Sequence, residues 1–255
     1  METGAITPAI DVAQIVLYMF WAFFAGLIYY LVRENHREGY PMDSKRPDGS
    51  SGPTISGWPT VQPKTYRLAD GHAVQAPNLA RPDGVFQGEP SHAWIGAPLE
   101  PVGDPLLAGV GPGAWAARAD VPDVTADGRP KIVPLRSDST HGVASQSVDP
   151  RGLPVYGKDG QVAGQVRDMW VDRSEMLFRY IEVQLPDAHS VLLPVPFARI
   201  KADGVRVGAL LAEQFARVPP TRNPEQVSLL EEEKISAYFG AGLLYATADI
   251  QEPLF

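Results

Sequence analysis

Between Val12 and Val32 the chain reads VAQIVLYMFWAFFAGLIYYLV, and its only clearly polar side chain is Gln14. At 1.5 Å per residue such a helix reaches roughly 30 Å, the thickness of one hydrocarbon core. A cleaved signal peptide is the competing reading, but it calls for a positive leader and a small-residue cleavage site. Residues 1–11 instead carry Glu2 and Asp11 and no Lys or Arg. The segment is therefore expected to stay as a single transmembrane helix. Arg33, Arg37, Lys45 and Arg46 follow it and no basic residue precedes it. That asymmetry predicts a periplasmic N-terminus and a cytoplasmic C-terminal mass. Tyr29 and Tyr30, with Arg33 and Arg37 just beyond, are placed at the cytoplasmic membrane interface. Trp21 falls mid-span beside the small residues Ala22, Ala25 and Gly26, a surface that lets another helix approach closely. Lipid-facing filler is the plainer account of the same residues.

Composition removes several classes of function. With Cys 0 the chain has no disulfide, thiolate metal site or cysteine nucleophile. A net charge of -8 opposes a phosphate backbone, and no basic run stands out, so no nucleic-acid partner is expected. Gly 24 and Pro 25 predict a turn-rich chain with few long helices.

From Pro41 to Gly113 the chain holds twelve prolines and no apolar run of helix or strand length. Disordered segments are poor in aromatics, whereas Trp58, Tyr66, Phe86 and Trp94 punctuate this one and Trp115 follows it. It reads as an extended segment held against a partner or a folded domain. Within it, Asp70-Gly71 separates Thr65–Leu68 from Ala73–Gln75 as a hairpin turn does. After Pro130 the pattern becomes strand-like: 131–135, 153–156, 161–171, 178–185, 191–195 and 205–207. Asp159-Gly160 and Asp203-Gly204 mark two tight hairpin turns, each separating two strand-like runs. Ser228 and Glu231 form a capping-box pattern before a C-terminal helix with an acidic first turn. The predicted fold class is thus one N-terminal transmembrane helix and a mostly β, barrel-like cytoplasmic domain closed by a short helix. The predicted divisions are 1–11, 12–32, 33–129 and 130–255.

No HExxH, GxSxG, GxxxxGK[ST] or GxGxxG pattern occurs, and the five histidines are scattered, so no metal or catalytic site is readable. One polar constellation stands out: Asp168, Asp172 and Glu175 with Arg173 and Arg179, around a strand-to-strand turn. Arg179 shares the strand parity of Ile181, Val183 and Leu185, so it needs a carboxylate from Asp172 or Glu175. A buried acid next to other acids can have its pKa raised enough to exchange protons near neutrality. A structural ion pair explains the same residues.

The anchor and its exit, FWAFFAGLIYYLVRENHREGYPM (Phe20–Met42), resemble the H subunit family of purple-bacterial photosynthetic reaction centres. The REGYP run (Arg37–Pro41) is the most specific element. PKTY (Pro63–Tyr66), GDP (Gly103–Pro105), GVGPGAWAARAD (Gly109–Asp120), KIVPLR (Lys131–Arg136), DPRGLPV (Asp149–Val155), DMWVDRSE (Asp168–Glu175) and SLLEEEKISAYFGAGLLYAT (Ser228–Thr247) extend the resemblance over nearly the whole chain. It implies a PRC-type barrel and a non-enzymatic subunit, single-pass in the bacterial inner membrane, that binds no pigment or other cofactor alone. Such a subunit caps the cytoplasmic face of the L and M subunits. Those subunits hold bacteriochlorophyll, bacteriopheophytin, quinones, non-haem iron and carotenoid. A cytochrome subunit, light-harvesting antenna and membrane lipids are further implied partners.

By the same resemblance, the cap shields the quinone region and helps deliver protons to the secondary quinone. Glu175 matches the family's proton-pathway glutamate and Arg179 its neighbouring arginine, while Asp172 and Lys131 match polar residues near that route. Where some members carry entrance histidines, this chain has Asp127 and Arg129. A membrane-tethered PRC-barrel adaptor of another complex is the alternative, with an unfamiliar membrane-bound enzyme behind it.

Overall fold

The computed structural model describes residues 4–7, 10–37, 43–45, 51–53, 61–77, 87–94 and 97–250. The chain divides into two compact units, Met1–Gly84 with Pro90–Pro98, and Val85–Glu89 with Leu99–Phe255.

Helix α1, Val12–Asn35, dominates the first unit and runs three residues past the apolar stretch. Asp11 caps it by accepting from the Gln14 backbone N–H at 2.7 Å. Its end is marked where the Arg37 backbone N–H returns to the Glu34 carbonyl at 2.9 Å. No residue of α1 is buried, and Trp21 is 55% exposed. A helix apolar on every side and uncovered on every side suits lipid or neighbouring helices, not water. Phe20 stacks on Phe24 at 5.8 Å, with the Trp21 ring edge-on to Phe24 at 6.0 Å. Ala22, Ala25 and Gly26 stay uncovered, and a Cβ at Gly26 would meet nothing within 4 Å. Tyr29, Tyr30 and Arg33 are also exposed, whereas Arg37 is buried, pairing with Glu34 at 2.9 Å and donating to the Gln62 carbonyl. The Asp70-Gly71 hairpin forms as Lys64–Arg67 against Ala73–Ala76, with Gly71 at φ +87°. Trp58, Phe86, Arg46 and Glu38–Met42 of the exit motif lie outside the described residues.

The second unit carries a seven-stranded sheet: β1 Ile132–Pro134, β2 Pro154–Tyr156, β3 Val162–Asp172, β4 Leu177–Gln184, β5 Ser190–Pro194, β6 Ala198–Lys201 and β7 Gly204–Val207. Its order is β5-β4-β3-β2-β7-β6, with β1 alongside β3. β3 is long enough to pair with β4 on one edge and, on the other, first with β2 and then with β1. Only β2 and β7 run parallel. Gly160 (φ +72°) and Gly204 (φ +149°) occupy the Asp-Gly turns, as the sequence predicts. β6 is the strand that the Asp203-Gly204 hairpin requires before its turn; ARIK alone offers only two apolar residues after two prolines, and pairing with β7 makes it a strand.

Helix α2, Leu229–Tyr245, starts at the predicted box, with Ser228 accepting from the Glu231 N–H and the Glu231 carboxylate accepting from the Ser228 N–H. It buries Ile235, Tyr238, Phe239 and Ala241 in the core that holds Val155, Ile181, Val183, Leu193 and Phe215. Each such side chain contributes roughly 1.5–3 kcal/mol. Strict alternation predicts one apolar face for β4, yet Tyr180, Ile181, Glu182 and Val183 are buried in succession. Glu182 meets Arg136 and Tyr180 meets Glu232 of α2, so the strand's second face is covered as well.

Candidate functional site

The turn between β3 and β4 is organised by Asp172, whose side chain has no exposed area. Its Oδ1 accepts from the backbone N–H groups of Ser174 (2.9 Å) and Glu175 (3.0 Å), which folds the turn back on the end of β3. Its Oδ2 accepts from Arg179 Nε at 3.2 Å and lies 3.5 Å from Lys131 Nζ. The register Asp172↔Ile132 between β3 and β1 is what brings Lys131 here. Lys131 also stands 3.4 Å from Glu175 and 3.5 Å from Asp123, while Arg179 Nη2 reaches Glu175 at 2.8 Å. The predicted residues Asp172, Glu175, Arg179 and Lys131 are therefore one cluster, and Asp123 joins it unforeseen. Arg179 has the parity of the apolar face but sits near the start of β4, where its side chain remains 39% exposed.

Asp172 is not an acid with a raised pKa. Burial pushes its carboxyl up, but the Glu175 N–H, the Arg179 guanidinium, the Ser174 N–H and Lys131 together hold it below the ordinary value. It is a fixed negative charge, and Lys131 is correspondingly held protonated: its own desolvation is outweighed by Asp172, Glu175 and Asp123. Among the described residues the acid whose pKa is raised is Glu232, on α2. Burial dominates there, against a 2.9 Å hydrogen bond donated by the Tyr180 hydroxyl and the fields of Arg179 and Arg118, while Asp123 adds to the rise. Nothing local in the sequence links Glu232 to this turn, since Tyr180 and Glu232 are 52 positions apart. Glu175, with its side chain 47% exposed, faces both the cluster and solvent.

Asp168 does not join this cluster. Its carboxylate accepts from the backbone N–H groups of Met169 (2.8 Å) and Arg136 (3.0 Å) and pairs with the Arg136 guanidinium at 3.3 Å. Buried Glu182 completes that second network, accepting from Arg136, Arg167 and the Trp170 indole N–H. Every charge in it is matched, which marks it as structural.

Asp127 is exposed at the tip of a turn, where it pairs with Arg129 at 2.5 Å and accepts from the Thr125 hydroxyl. Those contacts, the Thr125 hydroxyl first, hold its carboxyl below the ordinary range. It does not touch the Glu175 cluster, but it lines a cleft of about 450 Å³ with Asp138, His141, Arg173 and Ser174. Ser174 in its wall adjoins Glu175 in sequence, while no residue of the cluster itself lines the cleft. His141, 3.1 Å from Asp138, puts an imidazole in the cleft although neither Asp127 nor Arg129 is a histidine.

A family model described as the photosynthetic reaction centre H-chain N-terminal region matches residues 4–137, more than half of the chain. The chain belongs to the photosynthetic reaction centre H-chain family. A second model, the PRC-barrel domain, matches residues 144–210. The H-chain match contains α1, Asp123, Asp127 and Lys131, and the PRC-barrel match contains Asp172, Glu175 and Arg179. The cluster therefore forms where β1 of the H-chain region pairs with β3 of the barrel. Helix α2 lies beyond both matched ranges but supplies Glu232. Membership in this family makes the chain a structural subunit that associates with the other reaction-centre subunits. The one long apolar helix among the described residues accords with a single-pass membrane protein.

Proposed function

We infer that this H chain caps the cytoplasmic face of the L and M subunits, shields the quinone and iron region, and relays protons to the secondary quinone. The observation that carries this reading is the Glu175 cluster, in which a half-exposed carboxylate touches the cations neutralising a fully buried one. A doubly reduced quinone in a low-dielectric site is costly unless protons arrive with the electrons, so a relay of protonatable groups is needed. In this reading Asp172 is the fixed counter-charge that keeps Lys131 and Arg179 in place, and Glu175 carries the proton. Glu232, with its raised pKa, is a second group able to hold one. Protons enter by the cleft that Asp127 lines.

In this reading residues 1–11 lie in the periplasm, 12–32 in the bilayer and the rest in the cytoplasm, which the basic residues after α1 support. Residues 33–129 lie extended on the partner subunits, and 130–255 form the cap. Trp21, Ala22, Ala25 and Gly26 pack on the transmembrane helices of those partners, and Tyr29, Tyr30, Arg33 and Arg37 mark the cytoplasmic headgroup level. The chain catalyses no reaction alone and holds no cofactor. Bacteriochlorophyll, bacteriopheophytin, quinones, iron and carotenoid belong to the other subunits, with a cytochrome subunit and antenna as outer neighbours.

Glu175→Gln tests the relay. In the intact complex the proton-coupled second electron transfer to the secondary quinone is expected to slow about a hundredfold at neutral pH, the lower end of what one positioned proton-transfer group supplies. The first electron transfer, which needs no proton, should be unchanged. A second-transfer rate equal to the parent's at every pH removes Glu175 from the route.

A further inference from the structure

Far along the sheet from the Glu175 turn, the hairpin β6–β7 sets Arg199 directly opposite Arg206 in antiparallel register. Like charges in that relation cost stability. Lys201 is two residues from Arg199 on the same face, and Tyr156 lies beside Arg206 across the parallel pair β2–β7, its ring 5.2 Å from the guanidinium. Together with Lys158 from the β2–β3 turn, these side chains line a cleft of about 770 Å³, a volume typical of small-ligand sites. Lys158, Arg199, Lys201 and Arg206 are all exposed. Among the described residues no Asp or Glu lines the cleft, in a chain whose net charge is -8.

The charges are only partly matched from outside. Asp203, on the turn, holds Arg206 at 3.0 Å and also feels Lys201, and Asp249 feels Lys158. Among the described residues Arg199 has no acidic partner within ion-pair distance. The fold therefore concentrates cations on one face, with both Arg206 Nη atoms taken by Asp203 and the Arg199 charge left unmatched.

We propose that this cleft binds a phosphoryl-bearing anion, gripped by the Arg199 guanidinium with Lys158, Lys201 and Arg206 at its sides. The planar guanidinium fork matches phosphate oxygens two at a time, which lysine and neutral donors do not. The phosphoryl group comes either from a soluble polyphosphate or from the headgroup of an anionic phospholipid.

The detergent-solubilised full chain, with the subunits that co-purify, is titrated separately with inorganic pyrophosphate and with phosphatidylglycerol in mixed micelles, and binding is counted by native mass spectrometry. One specific equivalent is expected, weakened roughly tenfold to a hundredfold by Arg199→Gln and abolished by Arg199→Gln with Lys201→Gln. Arg151→Gln, at an exposed ion pair elsewhere, should leave it unchanged. Pyrophosphate binding identifies a soluble ligand, whereas binding of the lipid alone identifies a headgroup. Without ligand, Arg199→Gln should melt no lower than the parent because it relieves a like-charge pair, so lost binding cannot be assigned to misfolding. Absence of both ligands from the parent, or their full retention by the double variant, overturns the proposal.

Discussion

Asp172→Ala is expected to destabilise the cytoplasmic domain by about 2–3 kcal/mol at pH 7. Removing one partner of a buried pair costs roughly 3–5 kcal/mol. Here the lower figure applies because Arg179, 39% exposed, and Lys131, 19% exposed, keep access to water. The substitution also strips two backbone N–H groups of their acceptor and releases the turn that carries Glu175. Asp172→Asn keeps an acceptor for those N–H groups but no charge, and should fall between the parent and Ala. The folded carboxyl titrates below its ordinary value of 3.8, so its stabilisation is fully present above that value and disappears as pH falls through the folded pKa. Melting curves of parent and Asp172→Ala should therefore differ most above pH 5 and converge in strong acid. A difference that persists undiminished at pH 2 contradicts the charge-based explanation.

Gly242→Ala is expected to cost at least as much, although it adds a single methyl group to a helix, where alanine is intrinsically favoured. A Cβ at Gly242 would stand 2.2 Å from the Ala209 carbonyl oxygen and 2.6 Å from Leu210 Cδ2. The first contact is backbone and cannot rotate away, so α2 must lift from the sheet. Lifting it loosens Ile235, Tyr238 and Phe239, and with them the 5.9 Å ring contact between Phe215 and Phe239. Overpacking of this kind costs typically 1–3 kcal/mol, and more where the obstacle is main chain. We expect about 3 kcal/mol, read as a lower melting temperature, and displacement of Glu232 from Tyr180. Gly142→Ala, where a Cβ meets nothing within 4 Å, is the control and should be near neutral. Equal melting of Gly242→Ala and the parent would show that α2 does not dock at this distance.

Much of the architecture was legible because it rests on local rules. A continuous apolar run long enough for a bilayer fixes α1 without tertiary information, and Asp-Gly pairs need the positive φ that Gly160 adopts at its turn. Ser228 and Glu231 cap each other over three residues. What escaped is non-local. Glu182 and Arg136 are 46 residues apart, and their pairing explains why Asp168, apparently one of the turn acids, belongs to another network. The parity argument correctly gave Arg179 a carboxylate partner but could not decide between an ion pair and a raised pKa. It counted neighbouring acids around Asp172 without the two N–H groups and two cations that keep it ionised. The acid with the raised pKa, Glu232, was invisible because α2 meets Tyr180 only in the folded domain.

The most direct measurement is affinity purification of the tagged full chain from mildly solubilised photosynthetic membranes, followed by a near-infrared spectrum of the eluate. A cap seated on pigment-bearing subunits should bring down bacteriochlorophyll absorbance in fixed ratio to the chain, and deletion of Val12–Val32 should greatly reduce that ratio. A colourless eluate from the intact chain under conditions that preserve the complex contradicts the proposed role.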